Sequence, residues 1–507
     1  MNKDKIFKII GIILYATAFA AIVAYSVTLY GNDIWYDEVF SVFFSSSSFS
    51  EIVRLTTSDV HPPLYYFYLK LVMDAGTAIF GKGSLILFAK LASFLPWAVL
   101  FILAVFPVRK RFGVFTGGLF IFLMSVMPKL GSNYAEIRMY SFAMMLITIS
   151  FTALIALMNE NNEKAAIIVF LLSGIATAYT QYYACVATVG LYIGYGIYAL
   201  CTGKKKHVKW LFICAGFSIL LYLPWIGPLR SQMSAVSDEY WILPLTLRSL
   251  PGCLKFLFLP SDGAGALGYV CAVLVIALIA LIYVLFLMKK RSADEVFIAL
   301  AGPGVLAFTV LTGFVLSIIG RPIFVYRYMI PVLGAFYLSV AFAFYTVAQN
   351  KARFLFTLLI FAFCGRMVIG SYRYEEKLKC DKMKEAEEVL SSIPKDGVIV
   401  TNFDHVCTLI SYYLPDNTVY LYEGRPDCIV ELMYNRSDFE LSEDELADQV
   451  RSGKKVYFFG SFNSREDLLE DWKEKGIENT EEYDSVLIER YYFNIYRLSD
   501  EKQGNKG

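Results

Sequence analysis

The feature that most constrains this chain is a series of apolar runs, each close to 20 residues long. A helix rises ~1.5 Å per residue, so about 20 apolar residues cross ~30 Å of hydrocarbon. Such runs predict about eleven membrane-spanning helices, near residues 6–30, 84–107, 113–128, 139–158, 164–180, 184–201, 210–228, 266–288, 296–319, 328–347 and 354–370. The chain is therefore expected to be a polytopic α-helical membrane protein.

The charges divide the chain into two regions. The net charge is +1, but residues 1–370 hold 28 Lys and Arg against 15 Asp and Glu, whereas residues 371–507 hold 18 against 30. A hydrophobic content of 57% excludes a disordered chain, and the balanced total gives no basic footprint for nucleic acid. We predict a membrane domain over 1–370 and a soluble domain over 371–507.

The positive-inside rule sets the predicted topology, because short loops rich in Lys and Arg face the cytoplasm. Placing clusters such as Arg109–Arg111 and Lys204–Lys206 inside puts the C-terminal domain outside. Residues 62–81 carry a polar stripe of Lys70, Asp74 and Thr77, which favours an interfacial helix within a first outer loop over 31–83. The basic N-terminus with its long apolar run indicates an uncleaved first span.

The soluble region is predicted to be a small α/β domain with a partly parallel sheet. A helical pattern at Lys379–Ser392 precedes short β-rich runs, among them Val398–Thr401, Thr418–Tyr422 and Ser485–Tyr496. The nine cysteines stand singly without zinc-ligand spacing, so they predict neither a disulfide framework nor a metal cluster.

Carboxylates are concentrated in the first outer loop, where Trp35 and Tyr36 precede Asp37 and Glu38. Partial desolvation by these aromatic rings would raise the pKa of a carboxyl group and suit it to general-base catalysis. The structural alternative for the pair is a solvated loop or a helix N-cap.

Cations at outer helix ends are candidate anion ligands. Glu136 and Arg138 precede one span, with Tyr140 beside them, and the alternative is a local interfacial pair. Arg321, Arg327 and Tyr328 form an Arg/Tyr-rich entry to a later span, against the positive-inside trend. Lys90 lies inside the second span, and an intramembrane lysine is a functional candidate.

Three further polar residues are candidate pocket residues. His61 can orient a carboxylate or bind a metal, although a lone histidine is more often a hydrogen-bonded interface residue. Gln181 and Tyr182 lie at another outer helix end, where tyrosines are also ordinary membrane-belt residues. Carboxylates such as Asp37 and Glu136 can hold a divalent ion through oxygen, but no ligand spacing requires one.

The order of these motifs resembles the bacterial GT-C glycosyltransferases of family 39, which include protein O-mannosyltransferases and lipid A aminoarabinose transferases. The matching pieces are WYDE, DVHPPLYYFYLKL, GSLILFAKLASFLP, EIRMYSF, YTQYY and VYRYMIP, in order over residues 1–370. The tail segment VIVTNFDHVCTLISYYLPDNTVYLY resembles the soluble domain of the aminoarabinose transferases more weakly.

The resemblance implies a bacterial envelope enzyme of the plasma membrane that takes sugar from a polyprenyl-phosphate donor. It implies that Asp37 is the catalytic carboxylate beside Glu38, that Glu136 is a second acid, and that Arg138, Arg327 and Tyr328 lie near the lipid phosphate. The chain departs from the family at Lys90, where Arg is frequent, and at Gln181, where His is frequent. The acceptor is a glycolipid, a wall polymer or a protein, and the sequence identifies neither it nor the sugar.

Two other functions stay open. A transporter or flippase of lipid-linked saccharide would bind with the same outer charges, although transporters tend to show internal repeats and midplane charges. A sensor would depend on its tail for ligand response and would not need Asp37.

Overall fold

The computed structural model describes residues 3–30, 34–159, 162–235, 242, 244–260, 265–348, 351–424, 429–430, 433, 440–483, 485–488 and 491–500. The chain divides into two compact units. The membrane unit comprises Met1–Tyr30 and Phe44–Tyr374, and the sheet unit comprises Gly31–Phe43 and Glu375–Gly507. The predicted first outer loop is thus shared between the two units, since its first 13 residues cluster with the tail.

Fifteen α-helices, α1 to α15, precede the first described strand. Their bounds are Lys3–Leu29, Tyr36–Ser46, Phe49–Ser58, Leu64–Phe80, Leu85–Leu103, Arg109–Val126, Tyr140–Leu157, Glu163–Ala178, Tyr182–Cys201, Lys205–Ala235, Ser249–Phe258, Gly265–Leu287, Ala293–Ile319, Leu333–Val347 and Lys351–Ser392. Every predicted span coincides with a helical segment of this series. Among the described residues, eight helices are long and apolar enough to cross a membrane, and one of them, Lys82–Val126, contains two predicted spans.

The break between those two spans lies at Gly113. Its φ of 87° is left-handed and interrupts the helix, which glycine tolerates because it has no Cβ. The residues that precede this break are Arg109, Lys110 and Arg111, the basic cluster assigned to a cytoplasmic loop. Close packing of the next segment on α1 also depends on glycine, since a Cβ on Gly118 would lie 2.4 Å from the Gly11 carbonyl oxygen.

The fold class is confirmed as a multi-pass helical membrane protein with a small sheet domain. Large apolar side chains remain exposed on the outer surfaces of the long helices, including Val27, Phe212 and Ile319. Such surfaces fit a hydrocarbon solvent rather than water. Helix α4 is 17 residues long, and two residues of its polar stripe, Lys70 and Asp74, form an ion pair at 3.0 Å. Its interfacial position stays a prediction.

Among the described residues, the sheet unit has seven strands, β1 to β7, in the order β3-β2-β1-β4-β7-β5, with β6 paired to β7. Strands β1 to β4 form the parallel part, and β7 runs antiparallel to its neighbours β4, β5 and β6. The strand bounds are Val398–Thr401, Thr418–Tyr422, Glu440–Leu441, Val456–Gly460, Ile477–Glu482, Val486–Ile488 and Tyr491–Asp500. Helices in the described part of this unit include α16 (Asp404–Tyr413), α17 (Glu443–Arg451) and α18 (Ser464–Glu474).

Two sequence expectations for the tail need correction. The predicted helix Lys379–Ser392 is the end of one 42-residue helix, α15, which starts at Lys351 and includes the last predicted span. The predicted strand Ser485–Tyr496 is two antiparallel strands, β6 and β7. The partly parallel sheet is confirmed, and its core includes Val400, Phe458 and Trp472, each fully buried.

Candidate functional site

Two nearly inaccessible cations lie at loop-facing ends of the membrane unit. Lys90, on α5, is 2% exposed, and its Nζ donates to the Tyr30 carbonyl oxygen over 3.4 Å. Arg138, in the turn before α7, is 6% exposed. Burying a cation is costly unless anions or dipoles compensate it, so these two positions carry a functional hypothesis.

The turn that carries Arg138 is fixed through the backbone of Glu136. The Ser93 hydroxyl, one turn along α5 from Lys90, donates to the Glu136 carbonyl oxygen at 2.5 Å. The Arg138 backbone N–H donates to the same oxygen at 2.7 Å. The turn that carries Glu136 and Arg138 is therefore hydrogen-bonded to α5, the helix that carries Lys90. The Glu136 side chain on this turn is half-buried.

His61 orients the Arg138 guanidinium. Its Nε2 lies 3.2 Å from an Arg138 terminal nitrogen, and both side chains are buried. Because a guanidinium has donors and no acceptor, Nε2 accepts this hydrogen bond and the ring proton resides on Nδ1. The contact thus places a neutral imidazole beside the Arg138 cation, and His61 stays a candidate pocket residue.

Buried aromatic and polar groups support this turn. The Trp97 indole N–H donates to the Ser141 hydroxyl at 3.1 Å, and Ser141 donates to the Asn133 carbonyl oxygen at 2.6 Å. Burial raises the pKa of Tyr65 well above its usual value, although the Arg138 charge opposes that rise. Tyr65 is therefore a buried, neutral phenol within reach of the Arg138 charge.

The later Arg/Tyr entry meets this cluster at Tyr140. The Arg327 guanidinium carbon lies 5.9 Å from the centroid of the Tyr140 ring, within cation–π range. Tyr328 is buried and stacks on Tyr183 with the ring centroids 4.8 Å apart. Arg321 is exposed in the loop before this entry.

The two remaining pocket candidates belong to a packing network. The Gln181 side chain caps α9 by accepting from the Ala184 N–H at 2.7 Å. The Tyr182 hydroxyl donates to Gln232 and accepts from the Trp225 indole N–H at 3.1 Å. These contacts give both residues a positioning role at the start of α9.

The acidic pair lies at the start of α2 and belongs to the sheet unit. Glu38 is 4% exposed, and its Oε2 accepts from the Trp35 N–H at 3.0 Å, as in a capping interaction. Asp37 is half-buried in the first turn, and its backbone oxygen accepts from the Ser41 hydroxyl at 3.0 Å. Glu38 therefore has the helix-capping role that the sequence left open, and Asp37 stays the candidate base.

Sequence reasoning missed the partners of these residues. Ser93 had a usable signal, because it lies three residues after Lys90 on the same helix face. The contacts of Tyr36 with His405 and of Ile34 with Tyr413 had no signal in the sequence, because both join distant parts of the chain. Ile34 and Tyr413 are 379 positions apart. Within the part of the chain that the structure describes, no three His, Cys, Asp or Glu side chains gather into a metal-binding group.

Comparisons with known proteins show the fold. No family model matches the chain, and no curated protein matches it. Among solved structures, ArnT from Cupriavidus metallidurans in the apo state matches with a TM-score of 0.59 and 13% identity, over 97% of this chain and 98% of that one. The same protein bound to undecaprenyl phosphate matches with a TM-score of 0.58 and 11% identity, over 96% and 97%. The chain therefore has an ArnT-like membrane fold, as its motifs predicted.

Proposed function

We propose that the protein is a membrane glycosyltransferase that moves a sugar from a polyprenyl-phosphate donor to an acceptor hydroxyl, with inversion. The observation that carries the proposal is the pair of buried cations, Lys90 and Arg138, within a fold that matches ArnT along almost its whole length. One of the matching ArnT structures holds undecaprenyl phosphate. A lipid-linked donor fits a protein with many apolar helices, because its tail needs hydrocarbon.

The cations are assigned to the donor phosphate. When the sugar leaves, negative charge grows on the phosphate oxygens, and preorganised cations in a water-poor site stabilise that charge strongly. Arg138 offers a planar fork held in place by His61, whereas Lys90 offers a point charge. Arg327, Arg321 and Tyr328 are assigned to the outer part of the same anion site.

Asp37 is assigned as the general base. In the proposed step, the acceptor oxygen bonds to the anomeric carbon as the bond from that carbon to the phosphate oxygen breaks. The electron pair leaves with the polyprenyl phosphate, and the acceptor proton passes to Asp37. Glu38 holds the helix start that carries Asp37. Glu136 is assigned as a second acid, and His61, Tyr140, Gln181 and Tyr182 are assigned to the substrate pocket.

The direction of the reaction follows from the charge pattern. Basic loops such as Arg109–Arg111 are assigned to the cytoplasm of a plasma membrane, and the sheet unit to the outside. The acceptor would then be a glycolipid, a wall polymer or a protein exposed at the outer surface. A pentose and a hexose donor are both compatible with these assignments.

The deciding experiment gives the purified full-length protein synthetic polyprenyl-phosphate pentose and hexose, with a pool of envelope acceptors. A transferase releases polyprenyl phosphate in step with sugar transfer to the acceptor. Transbilayer movement of the intact donor without release, measured in vesicles, would instead identify a flippase. A protein that does neither with both donors would contradict the proposal.

A further inference from the structure

The sheet unit holds the segment that carries Asp37. Residues Gly31–Phe43 cluster with the tail, although more than 300 residues separate them in sequence. Within this unit, one helix, α16 (Asp404–Tyr413), makes the contacts that matter. Its two ends reach two successive parts of the acidic segment.

The N-terminal end of α16 holds Tyr36, the residue before Asp37. The His405 imidazole stacks on the Tyr36 ring with the centroids 3.8 Å apart and the planes 19° apart. The His405 Nδ1 lies 3.0 Å from the Tyr491 hydroxyl, at the start of β7. Because Tyr491 fixes the imidazole plane, the stacked face presented to Tyr36 is fixed as well.

The C-terminal end of α16 holds the backbone of Ile34. The Tyr413 hydroxyl donates to the Ile34 carbonyl oxygen at 2.8 Å and accepts from the Ile34 N–H at 3.1 Å. Next to it, the Tyr412 ring packs edge-on against Phe43 with centroids 6.4 Å apart. The segment from Ile34 to Phe43 is therefore held at two residues before the acidic pair and at one residue after it.

The loop that carries His405 is itself anchored to the sheet. Asn402 follows β1, and its Nδ2 donates to the Ser461 carbonyl oxygen at 2.9 Å. The Ser461 N–H, just beyond β4, donates back to the Asn402 Oδ1 at 2.8 Å. Strands β1 and β4 are fully buried apart from small residual exposure, so the anchor is rigid.

We propose that the C-terminal domain is part of the catalytic apparatus, and that His405 and Tyr413 are positioning residues for Asp37. The inference rests on the proposed function for its catalytic meaning. A general base must lie within hydrogen-bond reach of the proton that it takes, and a displacement of about 1 Å can lower the rate by ~10²-fold. The two ends of α16 fix the backbone on the N-terminal side of Asp37, while the Glu38 cap fixes the helix that follows.

The kinetic test uses the full-length protein and the release of polyprenyl phosphate. His405→Ala is expected to lower kcat about ten- to a hundredfold and to leave the donor KM within about twofold. His405→Phe keeps a ring for stacking and should restore most of the lost kcat. In an Asp37→Asn background, His405→Ala should cause little further loss, because the base that it positions is absent.

A second measurement does not depend on activity. Hydrogen–deuterium exchange of the amides at 34–39 should accelerate in His405→Ala and in Tyr413→Phe, while exchange in 398–401 and 456–460 stays unchanged. Tyr492→Phe is the matched control for Tyr491→Phe, since Tyr492 is the exposed neighbour on the same strand. The control should match wild type in both measurements, whereas Tyr491→Phe should follow His405→Ala in direction.

The outcomes separate the two proposals. Unchanged exchange at 34–39 in His405→Ala would overturn the positioning role whatever the enzyme does. A wild-type kcat in His405→Ala, beside an inactive Asp37→Asn, would overturn it as well and leave the transferase function standing. Faster exchange in a protein that releases no polyprenyl phosphate would support the positioning contacts and refute the transferase.

Discussion

The membrane unit and the sheet unit differ in which side chains they expose and which they bury. The membrane unit exposes large apolar side chains, among them Phe212 at 75%, and buries cations such as Lys90 at 2%. The sheet unit buries Trp472 completely and leaves the ion pair of Lys395 with Asp416 at its surface. Burial of a charge is therefore informative in the first unit, where it is costly, and exposure of a charge in the second is ordinary.

The strongest way to test that comparison is at the acidic pair, where the sheet unit supplies a half-buried carboxylate. Asp37→Asn removes the proposed base and should lower the release of polyprenyl phosphate by ~10²–10⁴-fold. Glu38→Gln, which weakens a helix cap, should lower it much less. Asp74→Asn, an exposed carboxylate paired with Lys70, is the control and should match wild type. A folded Asp37→Asn protein with wild-type turnover would remove Asp37 from the mechanism.

Removing one apolar side chain from each unit tests whether that side chain faces protein or lipid. Trp472→Ala should cost the sheet unit about 3–5 kcal/mol, because Trp472 packs against Phe458 and Tyr422 with no exposed surface. Phe212→Ala should change stability little, since lipid tails solvate that position as well as protein does. Limited proteolysis of the full-length protein in nanodiscs would show cleavage within 393–500 for the first variant alone. Equal damage from both variants would contradict the assignment of Phe212 to lipid.

The buried cations come next in expected effect. Arg138→Gln should lower turnover ~10²–10³-fold, by analogy with the loss of one donor to a developing oxyanion. Arg138→Lys should recover part of that loss, because lysine keeps the positive charge. The recovery should be incomplete, because a point charge replaces a planar fork. Lys82→Gln, at an exposed lysine shortly before Lys90, is the matched control. If Arg138→Gln turned over as fast as that control, the phosphate assignment would be wrong.

The same contrast explains which features the sequence could predict. Apolar runs and basic loops act locally, so helix positions such as Tyr140–Leu157 follow from periodicity and length. His61 and Arg138 are 77 positions apart in sequence, so no local pattern predicts the contact between them. Trp35 and Tyr36 are predicted to surround the acidic pair, but no local pattern indicates that Tyr36 stacks on His405 of the tail. Tyrosine and tryptophan occur in both the membrane unit and the sheet unit. Residue type therefore does not show to which unit an aromatic side chain belongs, and tertiary contacts are needed.

The smallest expected effect lies at an exposed helix end of the sheet unit, where charge is ordinary. Ser442 and Glu445 form a capping box at α17, with the Glu445 Oε2 accepting from the Ser442 N–H at 2.8 Å. The Ser442 side chain and then its backbone hold the pKa of Glu445 below its usual 4.5. Because the folded-state pKa is lowered, this contribution is present above pH 4.5 and is lost as the pH falls through the folded value.

Ser442→Ala should therefore increase amide exchange in α17 roughly threefold to tenfold at pH 7, the usual cost of a lost cap. The difference from wild type should shrink as the pH is lowered below 4.5, after correction for intrinsic exchange rates. Ser452→Ala, at the other end of the helix, removes a hydroxyl bond to the Gln449 carbonyl without touching Glu445. Its effect should not depend on pH, and a pH dependence equal to that of Ser442→Ala would show that the Glu445 carboxylate is not the group responsible.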